Sequence, residues 1–140
     1  MKMAVVAVGK LKDRGLEALV EDYRRRASRH IPTRIIEVRA TKKLLGAIPK
    51  GYKRVALDER GESISTRQLA ATLDGWMQTA VPGVAWLIGG ADGLDADTKK
   101  AAHWTLALSP MTFPHRLARV ILCEQLYRAL SLLRGEPYHK

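Results

Sequence analysis

Val84–Leu94, VAWLIGGADGL, reads as a strand that runs out into glycines. Val84, Ala85, Trp86, Leu87 and Ile88 form an unbroken apolar run of the kind that suits a strand covered on both faces. Gly89, Gly90 and Gly93 then remove side chains where the chain leaves the sheet. In open α/β sheets, ligands bind in the crevice beyond the carboxyl ends of the strands. Glycines placed there let backbone N–H and C=O groups come close to a small molecule. A tight turn leading into a helix would use the same residues. The spacing is not G-x-G-x-x-G, and no G-x-x-x-x-G-K-[ST] occurs, so neither a dinucleotide fingerprint nor a P-loop is present.

Outward from this stretch, strands and helices alternate. Residues 3–8, MAVVAV, read as a buried first strand closed by Gly9. From Asp13 the period becomes helical, with Leu16, Leu19, Val20, Tyr23 and Ala27 on one face and Arg14, Arg24, Arg25, Arg26 and Arg29 on the other. Pro32 separates this helix from a second strand near Arg34–Val38, followed by a short helical turn at Lys42–Leu45. Arg54–Leu57 is the third strand, with Asp58–Gly61 as its loop. Ser65 and Gln68 fit a capping box opening a helix that carries Leu69, Leu73, Trp76 and Met77 on one face. Beyond the central strand, Asp95 or Asp97 starts a short helix to Ala101, Trp104–Leu108 is a fifth strand, and a last helix runs from about His115 to Leu133. This alternation predicts an α/β fold, a mostly parallel sheet sandwiched by helices, in a single domain spanning 1–140.

The last helix is apolar nearly all round. Leu122, Leu126, Ala129 and Leu133 line one face and Leu117, Val120, Ile121 and Tyr127 the opposite one. A terminal helix buried twice in so small a domain predicts a partner subunit, most simply a two-fold homodimer. Glu124 lies within the second stripe, and Arg128 one turn later supplies the countercharge it needs.

Composition narrows the class. No apolar run approaches the roughly 20 residues that cross a bilayer, and the apolar part of MKMAVVAVGK is too short for a secretory signal, so a cytoplasmic protein without membrane contact is expected. The single cysteine, Cys123, falls in an apolar helical run and reads as a buried structural thiol. His30, His103, His115 and His139 show no metal-ligand spacing, so no metal is expected. The net charge of +10 is uneven, with +9 in residues 1–60 and +1 in residues 61–140. Such asymmetry suits a polyanionic partner such as nucleic acid. Arg24, Arg25, Arg26 and Arg29 are its densest run and the candidate phosphate contacts, giving affinity rather than sequence choice.

LIGGADGL, LALSPMTFPH, RVILCEQLYRAL and the final GEPYHK, in that order, closely resemble the SPOUT-superfamily methyltransferases that act on N3 of a pseudouridine in helix 69 of bacterial 23S rRNA. The resemblance runs from MAVVAVGKLK to PYHK and so covers essentially the whole chain. It implies a C-terminal trefoil knot, which periodicity could not show, and again a homodimer. It also implies S-adenosyl-L-methionine as cofactor, held by Leu57, by Gly89 with Gly90, and by Leu108, Ser109, Pro110, Met111, Thr112 and Phe113. Each of these three sets follows an expected strand, where the strand-end rule independently puts a ligand. The implied partners are 23S rRNA and the ribosome. In one respect the chain departs from the family, because the segment Lys42–Gly51 is trimmed.

Within that resemblance, Arg128, Tyr138 and His139 are the candidate catalytic residues. The imide N3 of pseudouridine must lose a proton to accept a methyl group, and a positive neighbourhood from Arg128 and His139 favours the anion. Tyr138 is placed to stack on an unpaired base. His115 opens the last helix beside Pro114, where helix entry explains it as well as chemistry does, and it is not among the candidate catalytic residues. A non-enzymatic ribosome-associated RNA-binding factor, or a SPOUT methyltransferase acting on another RNA, would show the same charge pattern.

Overall fold

The computed structural model describes residues 1–139. Five strands, β1 (Lys2–Val8), β2 (Thr33–Val38), β3 (Lys53–Ser63), β4 (Gly83–Ile88) and β5 (Trp104–Ala107), form one sheet in the order β2-β1-β4-β3-β5. Every pairing in it is parallel. The apolar run predicted to be a central strand is β4, and all six of its residues are buried. It lies between β1 and β3, with Val5 opposite Trp86 and Val55 opposite Trp86 on the other side.

Helices α1 (Arg14–Ser28), α2 (Thr66–Gln78) and α4 (His115–Leu133) pack on one sheet face, where Met3, Val5, Val55, Val84 and Trp86 meet Val20, Leu73, Leu122 and Leu126. The opposite face is thinner. Ala4, Val6, Ala56, Ala85 and Leu87 are covered there by Leu44, Leu45 and Ile48 from two 3-10 turns, and by Leu94 and Ala102 at the two ends of α3 (Ala96–Ala101). The trimmed segment therefore still roofs the sheet. Asp13 caps α1, Asp95 caps α3, and the Ser65–Gln68 capping box of α2 is formed in both directions.

Four local expectations are corrected. Asp58–Gly61 is not a loop after β3 but an excursion inside it: Leu57 and Glu62 both register on Leu106, and the four residues between them bulge out. Gly61 is needed at the return, because a Cβ there would sit 2.6 Å from the Thr105 carbonyl oxygen. Leu19 is exposed rather than in the core, and β5 ends at Ala107, leaving Leu108 to the loop. Tyr127 belongs to the inner face of α4, packed on Tyr23 and Tyr138, while Leu117 stays exposed. Helix α4 is thus buried on one side only within this chain.

Candidate active site

All five strands point the same way, so their carboxyl ends share one edge of the sheet. At the excursion within β3 and at the ends of β4 and β5 the chain leaves the sheet in three segments, and between them lies a cavity of about 840 Å³. Leu57, Gly89, Gly90, Leu108, Ser109, Met111, Thr112 and Phe113 all line it. Pro110, placed with them by the resemblance, is exposed and is not part of the wall. Three chain segments spread over more than 50 residues of sequence therefore converge on one space.

The glycine loop is built by close backbone contact. Gly90 and Gly93 form an isolated antiparallel bridge, and the Gly93 N–H donates to the Gly90 carbonyl at 3.0 Å. A Cβ on Gly89 would lie 2.3 Å from the Gly93 carbonyl carbon, so only glycine permits this fold-back. Gly93 itself has φ +76°, in the left-handed region. Leu94 then turns inward and is buried.

Several wall residues lack a motif that would have revealed them. The β3 excursion brings Asp58, Glu59 and Arg60 to the cavity, and α3 brings Lys99. Lys99 Nζ lies 2.6 Å from the Asp58 carboxylate, which also accepts the Arg60 N–H at 2.8 Å. Burial works against ionisation of Asp58, but Lys99 and the Arg60 N–H outweigh it and hold the carboxyl below its usual range. Thr112 donates to Glu59, joining the first loop to the third. His115 and Ala118, on the first turn of α4, complete the wall. In the sequence, His115 beside Pro114 suits a helix entry as well as it suits chemistry.

Volume and chemistry fit a sulfonium nucleoside. About 300–1,000 Å³ is the usual range for small-molecule sites. Leu57, Ile88, Leu94, Leu108 and Phe113 offer apolar surface, the glycines offer exposed backbone, and Asp58, Glu59 and Asp92 offset positive charge.

The candidate catalytic residues form a separate cluster at the far end of α4. The Arg128 Nε–H donates to Glu124 Oε2 at 3.0 Å, and the Tyr138 hydroxyl donates to the same oxygen at 2.9 Å. Gln125 Nε2 donates to Glu124 Oε1 at 2.9 Å, so both carboxylate oxygens are engaged. The Arg128 guanidinium stacks over the Tyr138 ring at 4.8 Å and lies 3.3 Å from His139 Nδ1. Burial, then hydrogen bonding with Tyr23 and Glu124, raises the Tyr138 phenol above its ordinary range, so it keeps its proton at neutral pH. None of these residues lines the cavity of its own chain. Arg128 is thirteen residues beyond His115 on α4, about 20 Å at 1.5 Å per residue. The remaining residue of the tail, Lys140, lies outside the described residues.

The candidate phosphate contacts split. Arg24 is bonded to Glu21 and to the Thr33 carbonyl, and Arg26 is bonded to Asp22 while lying over Tyr23 and Tyr127. Arg25 and Arg29 are exposed. Burial pushes the Cys123 thiol up to about 12, as suits a structural residue. Among the described residues no group of three or more His, Cys, Asp or Glu could hold a metal ion, and no helix is long and apolar enough to cross a membrane.

An all-parallel α/β sheet with a nucleoside-sized crevice at its strand ends defines a ligand-binding enzyme scaffold, and comparison with known proteins gives its family. The model of the family described as "predicted SPOUT methyltransferase" matches residues 1–139. Ribosomal RNA large subunit methyltransferase H of Sorangium cellulosum is 42% identical over 143 residues, covering 99% of this chain and 99% of that protein. The protein of the same name from Paracidovorax citrulli is 41% identical, covering 100% of this chain and 99% of the relative. Among solved structures, a probable methylase family protein from Haemophilus influenzae superimposes with a TM-score of 0.62 at 11% identity, over 99% of this chain and 70% of that one. The SpoU methyltransferase AviRb from Streptomyces viridochromogenes, solved with its cofactor AdoMet, gives 0.53 at 9% identity, over 91% and 57%. The latter two show likeness of fold alone. The chain belongs to the SPOUT methyltransferase family, and is an enzyme whose methyl donor is S-adenosyl-L-methionine.

Proposed function

We propose that this enzyme methylates large-subunit ribosomal RNA, at N3 of a pseudouridine in helix 69 of 23S rRNA, on an assembled ribosomal particle in the cytoplasm. One observation carries the reading: the three loops that the resemblance assigned to the cofactor close on one cavity, in a chain about two-fifths identical to large-subunit rRNA methyltransferases.

When bound, S-adenosyl-L-methionine supplies an electrophilic methyl group. Leu57, Gly89, Gly90, Leu108, Ser109, Met111, Thr112 and Phe113 would hold it, and the carboxylates of Asp58, Glu59 and Asp92 would favour its positive charge over a neutral competitor. Positioning of donor and acceptor is the main catalytic device, worth on the order of 7–11 kcal/mol in well-oriented systems. Arg128 supplies the positive charge that favours the N3 anion, the N3 proton passing to solvent water. Glu124 acts on Arg128 as its orienting partner, since both its oxygens are already engaged. Tyr138 supplies a stacking surface for the base, with His139 beside Arg128.

The distance along α4 between the cavity and this cluster supports a homodimer in which the tail of one subunit completes the cavity of the other. Exposed Leu19 on α1 and Leu117 on α4, 44% and 43% accessible, offer apolar surface for that contact. Arg25 and Arg29 lie at the tail end of the molecule and would reach RNA phosphates from the tail-donating subunit, with Arg24 and Arg26 stiffening the surface. The β3 excursion and the loops after β4 and β5 form the knotted segment of the family.

Labelled cofactor offered with naked 23S rRNA, large subunits and whole ribosomes tests the reading. Label should enter ribosomal particles and map to one helix 69 pseudouridine. Label in a different RNA would redirect the substrate, and cofactor binding without transfer to any RNA would refute the enzymatic account.

A further inference from the structure

The segment Val38–Leu57 contains six cations, Arg39, Lys42, Lys43, Lys50, Lys53 and Arg54, and no carboxylate. Its first half is not a loose loop. The two 3-10 turns, Thr41–Lys43 and Leu45–Ala47, are held by a chain of backbone hydrogen bonds from Lys43, Leu44, Ala47 and Ile48. Leu44 is fully buried, packed with Val6, Leu87 and Leu94. The turns therefore form a fixed ledge, with an apolar underside clamped to the sheet and Arg39, Lys42 and Lys43 exposed above it.

The place of this ledge matters. It follows β2, so it stands at the same carboxyl edge of the sheet as the cofactor cavity. One apolar layer underlies both: Leu94, which lines the cavity, belongs to the Leu44 cluster, and Val8 of that cluster comes against Gly90. The β1 loop between ledge and cavity adds exposed Lys10 and Lys12. Lys12 has φ +56°, a left-handed conformation uncommon for lysine. Of the nearby carboxylates, Asp13 caps α1, Glu37 pairs with Arg119 and Glu21 pairs with Arg24, while Glu17 shares a hollow with Lys10. Among the described residues none of Arg39, Lys42, Lys43, Lys10 and Lys12 makes an ion pair.

We propose that Arg39, Lys42 and Lys43, with Lys10 and Lys12 beside them, form a rigid phosphate-binding ledge that seats the RNA backbone next to the cavity of the same chain. This rests on the RNA methyltransferase reading above, and it adds a contact surface distinct from Arg25 and Arg29, which lie at the tail end. Rigidity is the point of the design. A cation fixed to the layer under the glycine loop sets the distance from phosphate to methyl donor, which a cation on a free loop cannot do. The ledge carries no base-reading geometry, so it supplies position and affinity rather than sequence choice.

The test is the triple variant Arg39→Gln/Lys42→Gln/Lys43→Gln, assayed for binding to ribosomal particles over a salt series and for methyl transfer. The salt slope of binding should fall by about one per cation removed. KM for particles should rise roughly tenfold with kcat little changed, since phosphate contacts supply uniform binding. Thermal stability and cofactor affinity should stay at wild-type values, and the charge-preserving variant Arg39→Lys/Lys42→Arg/Lys43→Arg should restore KM. A triple Gln variant with wild-type salt slope and KM would overturn the ledge. If the wild-type protein binds particles but transfers no methyl group, the catalytic reading fails, and the salt slopes alone decide for or against the ledge.

Discussion

At the scale of single residues, two side-chain-sized spaces decide most. Gly89 has no room for a methyl group: its Cβ would fall 2.3 Å from the Gly93 carbonyl carbon and 2.5 Å from its oxygen, both backbone atoms that cannot swing away. Gly89→Ala should therefore displace the Gly90–Gly93 bridge and abolish cofactor binding, as calorimetric titration would show; wild-type affinity would mean the loop is not the cofactor wall. Arg119 is the other case. Its side chain is 3% exposed and ties α4 to two strand ends, donating to Glu37 at 2.5 Å and to the Gly9 carbonyl at 2.8 Å. Charged hydrogen bonds of this kind each contribute about 1.5–3 kcal/mol. Arg119→Ala should lower unfolding free energy by about 3 kcal/mol, read from denaturant midpoints at constant slope. No motif marked Arg119 in the sequence, where it is one cation among many on a helix.

At the scale of elements, local signals were reliable where the element is self-contained. The Ser65–Gln68 capping box is formed in both directions, and Ser65→Ala should cost about 1 kcal/mol without affecting transfer per folded molecule. Helix α4 begins and ends where its apolar pattern does. Strand β3 is the instructive failure. Asp58–Gly61 carries turn residues, and its chemistry reads as a loop, yet the chain regains the same neighbour at Glu62 because β5 is still there to pair with it. That neighbour is supplied by residues 104–107, nearly fifty positions on, so no local pattern could announce it. The β3–β5 contact also carries a pH signature. His103 Nδ1 accepts the Arg54 N–H at 2.9 Å, and burial, followed by the charges of Arg54 and Lys53, lowers its pKa from 6.5. A histidine with a lowered folded pKa gives its full stabilisation above 6.5 and loses it as pH falls through the folded value. Melting temperature should thus decline modestly from about pH 7.5 to about pH 5, and His103→Gln should flatten that decline.

At the scale of the molecule, the central fact is a separation. The cofactor loops and the Arg128–Tyr138–His139 cluster lie toward opposite ends of α4, and the proposed homodimer with composite sites would reconcile them. Deleting Pro137–Lys140 should abolish methyl transfer while cofactor affinity survives; full activity in the truncated protein would remove the tail from the mechanism. Mixing truncated subunits with subunits carrying Ser109→Trp, which fills the cavity from its third loop, should restore part of the activity. Each mixed dimer then keeps one intact cavity facing one intact tail. Restoration at no mixing ratio would mean that each chain works alone.

The sequence by itself determined the alternation of strands and helices, the buried β4, the helix caps and the three strand ends at which a ligand belongs. These follow from neighbours within a few residues, where hydrophobic period, capping chemistry and glycine act directly. Tertiary structure alone decided that the three chain segments share one cavity, that the β3 excursion and Lys99 wall it with charge, and that the trimmed segment is a ledge anchored by Leu44. Those features arise from sheet order and from side chains meeting across long stretches of chain, and packing between distant segments leaves no local mark.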